Sequence, residues 1–126
     1  MPSPIIEHVN LTVSDNARSA ALFSQLFGWH IRWQGPARDG GHSIHVGDGH
    51  GYLAFYTPPQ DCGCPKEFAK GAPLNHVGIE VDDLLRVKGG VEAAGLTPFA
   101  HESYEPGERF YFFDWDGIEY EIVSYA

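Results

Sequence analysis

Cysteine is scarce in this chain, with only Cys62 and Cys64 among 126 residues. Two thiols separated by one glycine make no disulfide framework, and a bridge between them would be strained. They read either as a C-x-C chelate or as a pair of thiols in a surface loop. Positive charge is scarce too: 8 Lys and Arg against 17 Asp and Glu give a formal net charge of −9. A chain so acidic repels polyanions, which excludes nucleic acid and anionic membrane as partners. No apolar run approaches the roughly 18 residues of a membrane span, and the proline-bearing start lacks the layout of a signal peptide. The cytoplasm is therefore the expected compartment.

What remains is an ordinary globular composition, 43% hydrophobic and 20% charged, in a single domain spanning 1–126. That length suffices to bury a core of its own. Within it one stretch is written twice. Glu7-His8-Val9-Asn10-Leu11-Thr12-Val13-Ser14-Asp15 and Asn75-His76-Val77-Gly78-Ile79-Glu80-Val81-Asp82-Asp83 share His, Val, a branched aliphatic, Val and an acidic residue at an offset of 68. Asp48-Gly49 begins 40 residues after His8, and Asp116-Gly117 begins 40 after His76. The chain is thus two copies of one roughly 55-residue unit.

Module one (5–58) opens with a strand over Ile5–Val13 in which Val9, Leu11 and Val13 share one face and His8, Asn10 and Thr12 the other. Ser14 is placed to cap a helix over Asn16–Phe27, which Gly28 ends in the left-handed conformation. Trp29–Trp33, His42–Val46 and Tyr52–Thr57 follow as short strands between Gly-rich turns. Residues 59–73, rich in proline, form the connection. Module two (74–126) repeats the order. A strand over Leu74–Val81 leads to a helix capped by Asp82 or Asp83, with Leu84, Val87, Val91 and Ala94 on its face and Gly95 at its end. Strands follow over Pro98–Ser103, Arg109–Phe113 and Ile118–Tyr125. The fold class is α+β: two βαβββ modules whose paired, curved, mixed sheets surround a central cleft, with the helices outside.

His8 and His76 lie on the polar faces of the two first strands. In the last strand Tyr120 and Ile122 suit the helix side, which turns Glu119, Glu121 and Val123 toward the cleft. An inward carboxylate needs a partner or a metal. Two imidazoles and one carboxylate from separate strands form the facial triad of non-haem Fe(II) enzymes, a set that also holds Zn, Mn or Ni. His8, His76 and Glu121 are therefore the metal-ligand candidates.

The repeat, the two histidines and the ending Asp114-Trp115-Asp116-Gly117-Ile118-Glu119-Tyr120-Glu121 resemble the vicinal oxygen chelate superfamily. That superfamily includes glyoxalase I, type I extradiol dioxygenases, fosfomycin-resistance proteins and bleomycin-binding proteins. Its usual D-P-x-G-x-x-x-E ending carries Trp115 here in place of proline. The resemblance implies an open, cup-like sheet around a divalent metal, a small-molecule substrate and frequently a homodimer, with His8, His76 and Glu121 on the ligand positions. Glyoxalase I has a second acidic ligand in the last strand of module one. The 68-residue offset from Glu121 leads instead to Leu53, with Phe55 beside it on the same face, and neither ligates. The set is thus similar to that of the extradiol dioxygenases. These place a tyrosine three residues before the Asp-Pro and a histidine in module two as acid–base groups, positions that Tyr111 and His101 match.

Around this set, His45 and Phe55 are candidates to line the substrate, and Arg109 offers a bidentate fork to an anionic substrate group. The expected activity is dioxygenase-like or glyoxalase/lyase-like chemistry on an oxygen-chelating small molecule. The rival is a metal-free drug- or metabolite-binding protein of the bleomycin-resistance kind.

Overall fold

The computed structural model describes residues 3–59, 70–71, 73–104 and 106–126, so the expectation for Cys62 and Cys64 falls outside the described residues. The chain divides into two compact units, Met1–Pro65 and Lys66–Ala126, with the boundary inside the expected connection. Each unit is one βαβββ module. Among the described residues, no helix is long and apolar enough to cross a membrane.

Module one comprises β1 (His8–Thr12), α1 (Asn16–Phe27), β2 (His30–Pro36), β3 (His42–Gly47) and β4 (Tyr52–Thr57). The sheet order is β1-β4-β3-β2, with β1 parallel to β4 and the other pairs antiparallel. The helix is the crossover that a parallel β1–β4 pairing requires. Its cap is Asp15, whose carboxylate accepts from Arg18 N at 3.2 Å. Ser14, the expected cap, instead accepts from the Arg18 guanidinium at 3.3 Å. Gly28 closes the helix as predicted, at φ +70° with its N–H donating to Ser24 O.

Period-two alternation gives this sheet two unlike faces. Leu11, Val13, Ile44, Val46, Leu53 and Phe55 are buried, and Phe55 stacks on Phe23 of α1 with ring centroids 5.4 Å apart. Phe55 is fully buried in this helix-side core, which corrects the expectation that it lines a substrate. The opposite face carries His8 beside Tyr52, Asn10 beside Ala54, then Ser43 and His45 of β3. At the helix start, the buried Asn16 amide donates to the carbonyls of His42 (2.9 Å) and Phe55 (3.1 Å), tying α1 to two strands.

Module two comprises β5 (Val77–Glu80), α2 (Leu84–Ala93), β6 (Phe99–Tyr104), β7 (Gly107–Phe113) and β8 (Glu119–Ser124), in the sheet order β5-β8-β7-β6. Asp83 caps α2 by accepting from Arg86 N at 3.1 Å, and Gly95 follows at φ +84°. Leu84, Val87 and Val91 face a core of Phe110, Phe112, Tyr120 and Ile122, each of these four wholly buried. Phe112 and Tyr120 stack at 5.4 Å. The β7–β8 turn is closed by Asp114, whose carboxylate accepts from Asp116 N and Ile118 N, both at 2.9 Å. The remaining face of this sheet presents Arg109, Tyr111, Glu119 and Glu121.

Candidate functional site

His76 stands one residue before β5, and β5 runs parallel to β8 with Gly78 opposite Glu121. The alternation puts His76 and Gly78 on one face, and glycine adds no side chain there to separate His76 from Glu121. His76 Nε2 lies 2.9 Å from Glu121 Oε1. The other carboxylate oxygen, Oε2, accepts from Arg109 Nη1 at 3.1 Å. On the far side of the ring, Nδ1 lies 2.7 Å from Asn75 Oδ1, which also accepts from Lys70 Nζ at 3.0 Å. Lys70 reaches Glu119 Oε1 at 3.1 Å as well, and Glu119 Oε2 lies 3.8 Å from His76 Nδ1.

These contacts fix the chemistry of His76. Lys70 can only donate, so it identifies the Asn75 atom as the amide oxygen, and an amide oxygen can only accept. The Nδ1 nitrogen must therefore carry a hydrogen. In neutral imidazole Nε2 is then a lone pair, facing the carboxylate oxygen of Glu121 at 2.9 Å. Two lone pairs repel at that distance unless a proton or a metal cation lies between them. Two ligands each about 2.1 Å from a common ion, at right angles, stand about 3 Å apart, so the spacing suits adjacent coordination positions. The donor set and its separation fit a divalent metal. Among the described residues, no group of three or more His, Cys, Asp or Glu side chains is gathered to hold one.

Module one repeats the orienting device. His8 Nδ1 lies 2.8 Å from Glu7 Oε1, so here too the residue immediately before the histidine engages Nδ1 and leaves Nε2 for other work. The His8 ring stacks on Tyr52 at 4.9 Å, and His45 stacks on Tyr52 at 4.5 Å. Burial, with the neighbouring His8 and Arg32 as lesser causes, lowers the pKa of His45 below its usual value. Neither Glu7 nor Asn75 was recognised as a site residue in the sequence. The signal was present in the repeat, where a side-chain oxygen precedes each histidine.

Tyr111 belongs to this site. Its ring meets His76 edge-on at 5.9 Å and stacks on Phe99. His101 does not. It accepts at Nδ1 from Lys88 Nζ of α2 (2.9 Å), donates from Nε2 to Glu108 (2.6 Å) and stacks over the buried Phe110, on the helix side of the sheet. The reason is a β-bulge: Phe99 pairs with Tyr111 but Glu102 with Arg109, three residues against two, with Ala100 at φ +52° between them. The extra residue turns His101 away from the face that Phe99 and Glu102 share with Glu121.

A second correction concerns the module-one counterpart of Glu121. Glu121 pairs with Gly78, two residues after His76, and the residue paired with Asn10, two after His8, is Ala54. Leu53 points the other way, into the core against α1. The position still carries no ligand.

The model of the Glyoxalase/Bleomycin resistance protein/Dioxygenase superfamily matches residues 5–122. No curated protein matches the chain. Among solved structures, a glyoxylase/bleomycin resistance protein/dioxygenase domain from Frankia sp. EAN1pec is similar with a TM-score of 0.80 at 20% identity, covering 99% of this chain and 100% of that one. The fosfomycin resistance protein FosX from Listeria monocytogenes, complexed with Mn(II) and sulfate, gives 0.73 at 13% identity over 98% and 93%. A glyoxalase I variant from Zea mays gives 0.79 at 18% identity over 94% of this chain and 45% of that one.

Proposed function

Because the chain belongs to the Glyoxalase/Bleomycin resistance protein/Dioxygenase superfamily, we propose that it is a divalent-metal enzyme acting on a small organic molecule through two neighbouring substrate oxygens. The ligands in this reading are His76 and Glu121 of module two with His8 of module one. The observation that carries it is the 2.9 Å approach of His76 Nε2 to Glu121 Oε1. With Ala54 at the fourth position, the set is two imidazoles and one carboxylate. It leaves positions open and favours dioxygenase-like over glyoxalase/lyase-like chemistry, with Fe(II), Zn, Mn and Ni as candidates.

When bound, such an ion supplies Lewis-acid polarisation of the substrate oxygens, and oxygen chemistry where it is iron. The protein's own groups do the rest. Asn75 and Glu7 hold the histidines in the tautomer that presents Nε2. Arg109 occupies one oxygen of Glu121 and leaves the other toward His76, so its role is to position a ligand rather than to bind an anionic substrate. Tyr111, edge-on to His76, is the acid–base group at the substrate.

The test is metal analysis of untagged protein purified without chelators. About one divalent ion per chain is expected, lost in His76→Ala and in Glu121→Gln. Equal trace metal in all three proteins, with small-molecule binding intact, overturns the reading in favour of a metal-free sequestering protein. We further propose a homodimer burying at least about 1,200 Å2, the lower end of specific interfaces. A sedimentation mass that stays at the 13.9 kDa of one chain across concentrations rules it out.

A further inference from the structure

The open face of module one carries a cavity that the metal reading does not use. Its volume is about 570 Å3, within the range of small-molecule sites, and its lining comes from module one alone. One wall is aromatic: Trp33, still 48% exposed, meets His45 at 5.0 Å between ring centroids. A β-bulge places Trp33 there. Ile31 pairs with Val46 and Trp33 with His45, so two steps along β2 match one along β3, and Trp33 turns onto the open face. The indole then lies over Gly35, where a Cβ would stand only 2.9 Å from Trp33 Cζ2. The rim is a strip over residues 36–39, pinned by Tyr56 Oη donating to Arg38 O at 2.7 Å.

The floor holds an unmet demand. Ser43 is 5% exposed and lines the cavity, and its Oγ has no hydrogen-bond partner among the described residues. A buried hydroxyl left unsatisfied is destabilising, so a ligand that supplies the missing bond is favoured there. At the rim Arg38 and Asp39 oppose one another in charge, which gives the cavity no net attraction for either sign.

We infer that this cavity binds an uncharged, planar aromatic group, stacked on Trp33 beside His45, with its hydrogen-bonding substituent on Ser43 Oγ. The inference rests on the small-molecule reading of the open faces but not on the metal. It makes the cavity the seat of the non-chelating part of the substrate.

The experiment is a titration of the EDTA-treated full chain with phenol, benzamide, benzoate and cyclohexanol, followed by calorimetry and tryptophan fluorescence. Saturable binding is expected for phenol and benzamide and not for the other two. Ser43→Ala should weaken it roughly 2- to 10-fold, the share of one hydrogen bond. Gly35→Ala, which displaces the indole without removing it, should weaken it as well. The inference is overturned if no probe saturates, if cyclohexanol or benzoate binds as well as phenol, or if both variants bind like the parent. Binding of phenol by protein that never takes up metal would sink the metal reading alone, and metal uptake without aromatic binding would sink only this one.

Discussion

Asn75 Oδ1 receives the Nδ1 hydrogen of His76 at 2.7 Å while Lys70 holds the same oxygen from behind. An amide neighbour thus decides which nitrogen of His76 faces Glu121. Removing such an orienting partner commonly costs 10- to 100-fold in metal affinity, so Asn75→Ala should weaken metal binding by about that factor. Asn75→Asp, which keeps an acceptor, should recover most of it. Competition titration against a chromophoric chelator measures both. An alanine variant with parental affinity would show that His76 needs no orienting partner.

The register pairing makes a sharp contrast between adjacent residues. Leu53→Glu buries a carboxylate against α1, where Leu53 is 6% exposed, and should cost about 3 kcal/mol or more, a core deletion compounded by desolvation. Ala54→Glu puts the carboxylate on the opposite face, between Asn10 and His45 at the counterpart of Glu121, where Ala54 is itself only 1% exposed. With a bound metal to pair the buried charge, it should destabilise the fold less than Leu53→Glu and shift metal preference toward ions that favour octahedral oxygen ligands. Urea denaturation and metal competition separate the two. If Leu53→Glu is the variant that folds and gains metal affinity, the pairing of β1 with β4 is wrong.

Tyr111 and His101 should behave as opposites. His101 faces Lys88 and Glu108 on the helix side, so His101→Ala should leave kcat/KM within about twofold once a substrate is found. Tyr111→Phe, which keeps the ring contact with His76 and removes the hydroxyl, should lower kcat by about 100-fold or more, the range of acid–base catalysis. A large loss in His101→Ala with parental stability would return that residue to the site.

His45 sets a pH dependence of stability. Burial lowers its pKa in the folded state below the usual 6.5, so the unfolded chain binds this proton first as the solution is acidified. The sign follows: this contribution is fully present above about pH 6.5 and is lost as the pH falls from there toward the folded-state value. His45→Gln, which does not titrate, should flatten the urea midpoint between about pH 7.5 and pH 5.5 relative to the parent. A parent midpoint that rises on acidification through that window would contradict the sign.

Much of this protein was legible along the chain. The 68-residue repeat, the residues capping the helix ends and the alternation of β1 fixed two βαβββ modules. His76 and Glu121 followed as a pair from patterning alone, because hydrophobic burial decides which face of a strand turns inward. What failed did so by single residues. The β3–β4 turn runs from Gly47 to Tyr52, whereas the β7–β8 turn runs from Phe113 to Glu119, one residue longer. Before that turn, however, module two is the shorter by two, with 35 residues from His76 to Tyr111 against 37 from His8 to His45, so a net difference of one residue moves the counterpart of Glu121 from Leu53 to Ala54. The bulge in β6 likewise turned His101 away from the open face. In a strand the side-chain period is two, so an error of one residue reverses the face. Only the hydrogen-bonded register records that step, and register is a property of paired strands, not of either strand's own sequence.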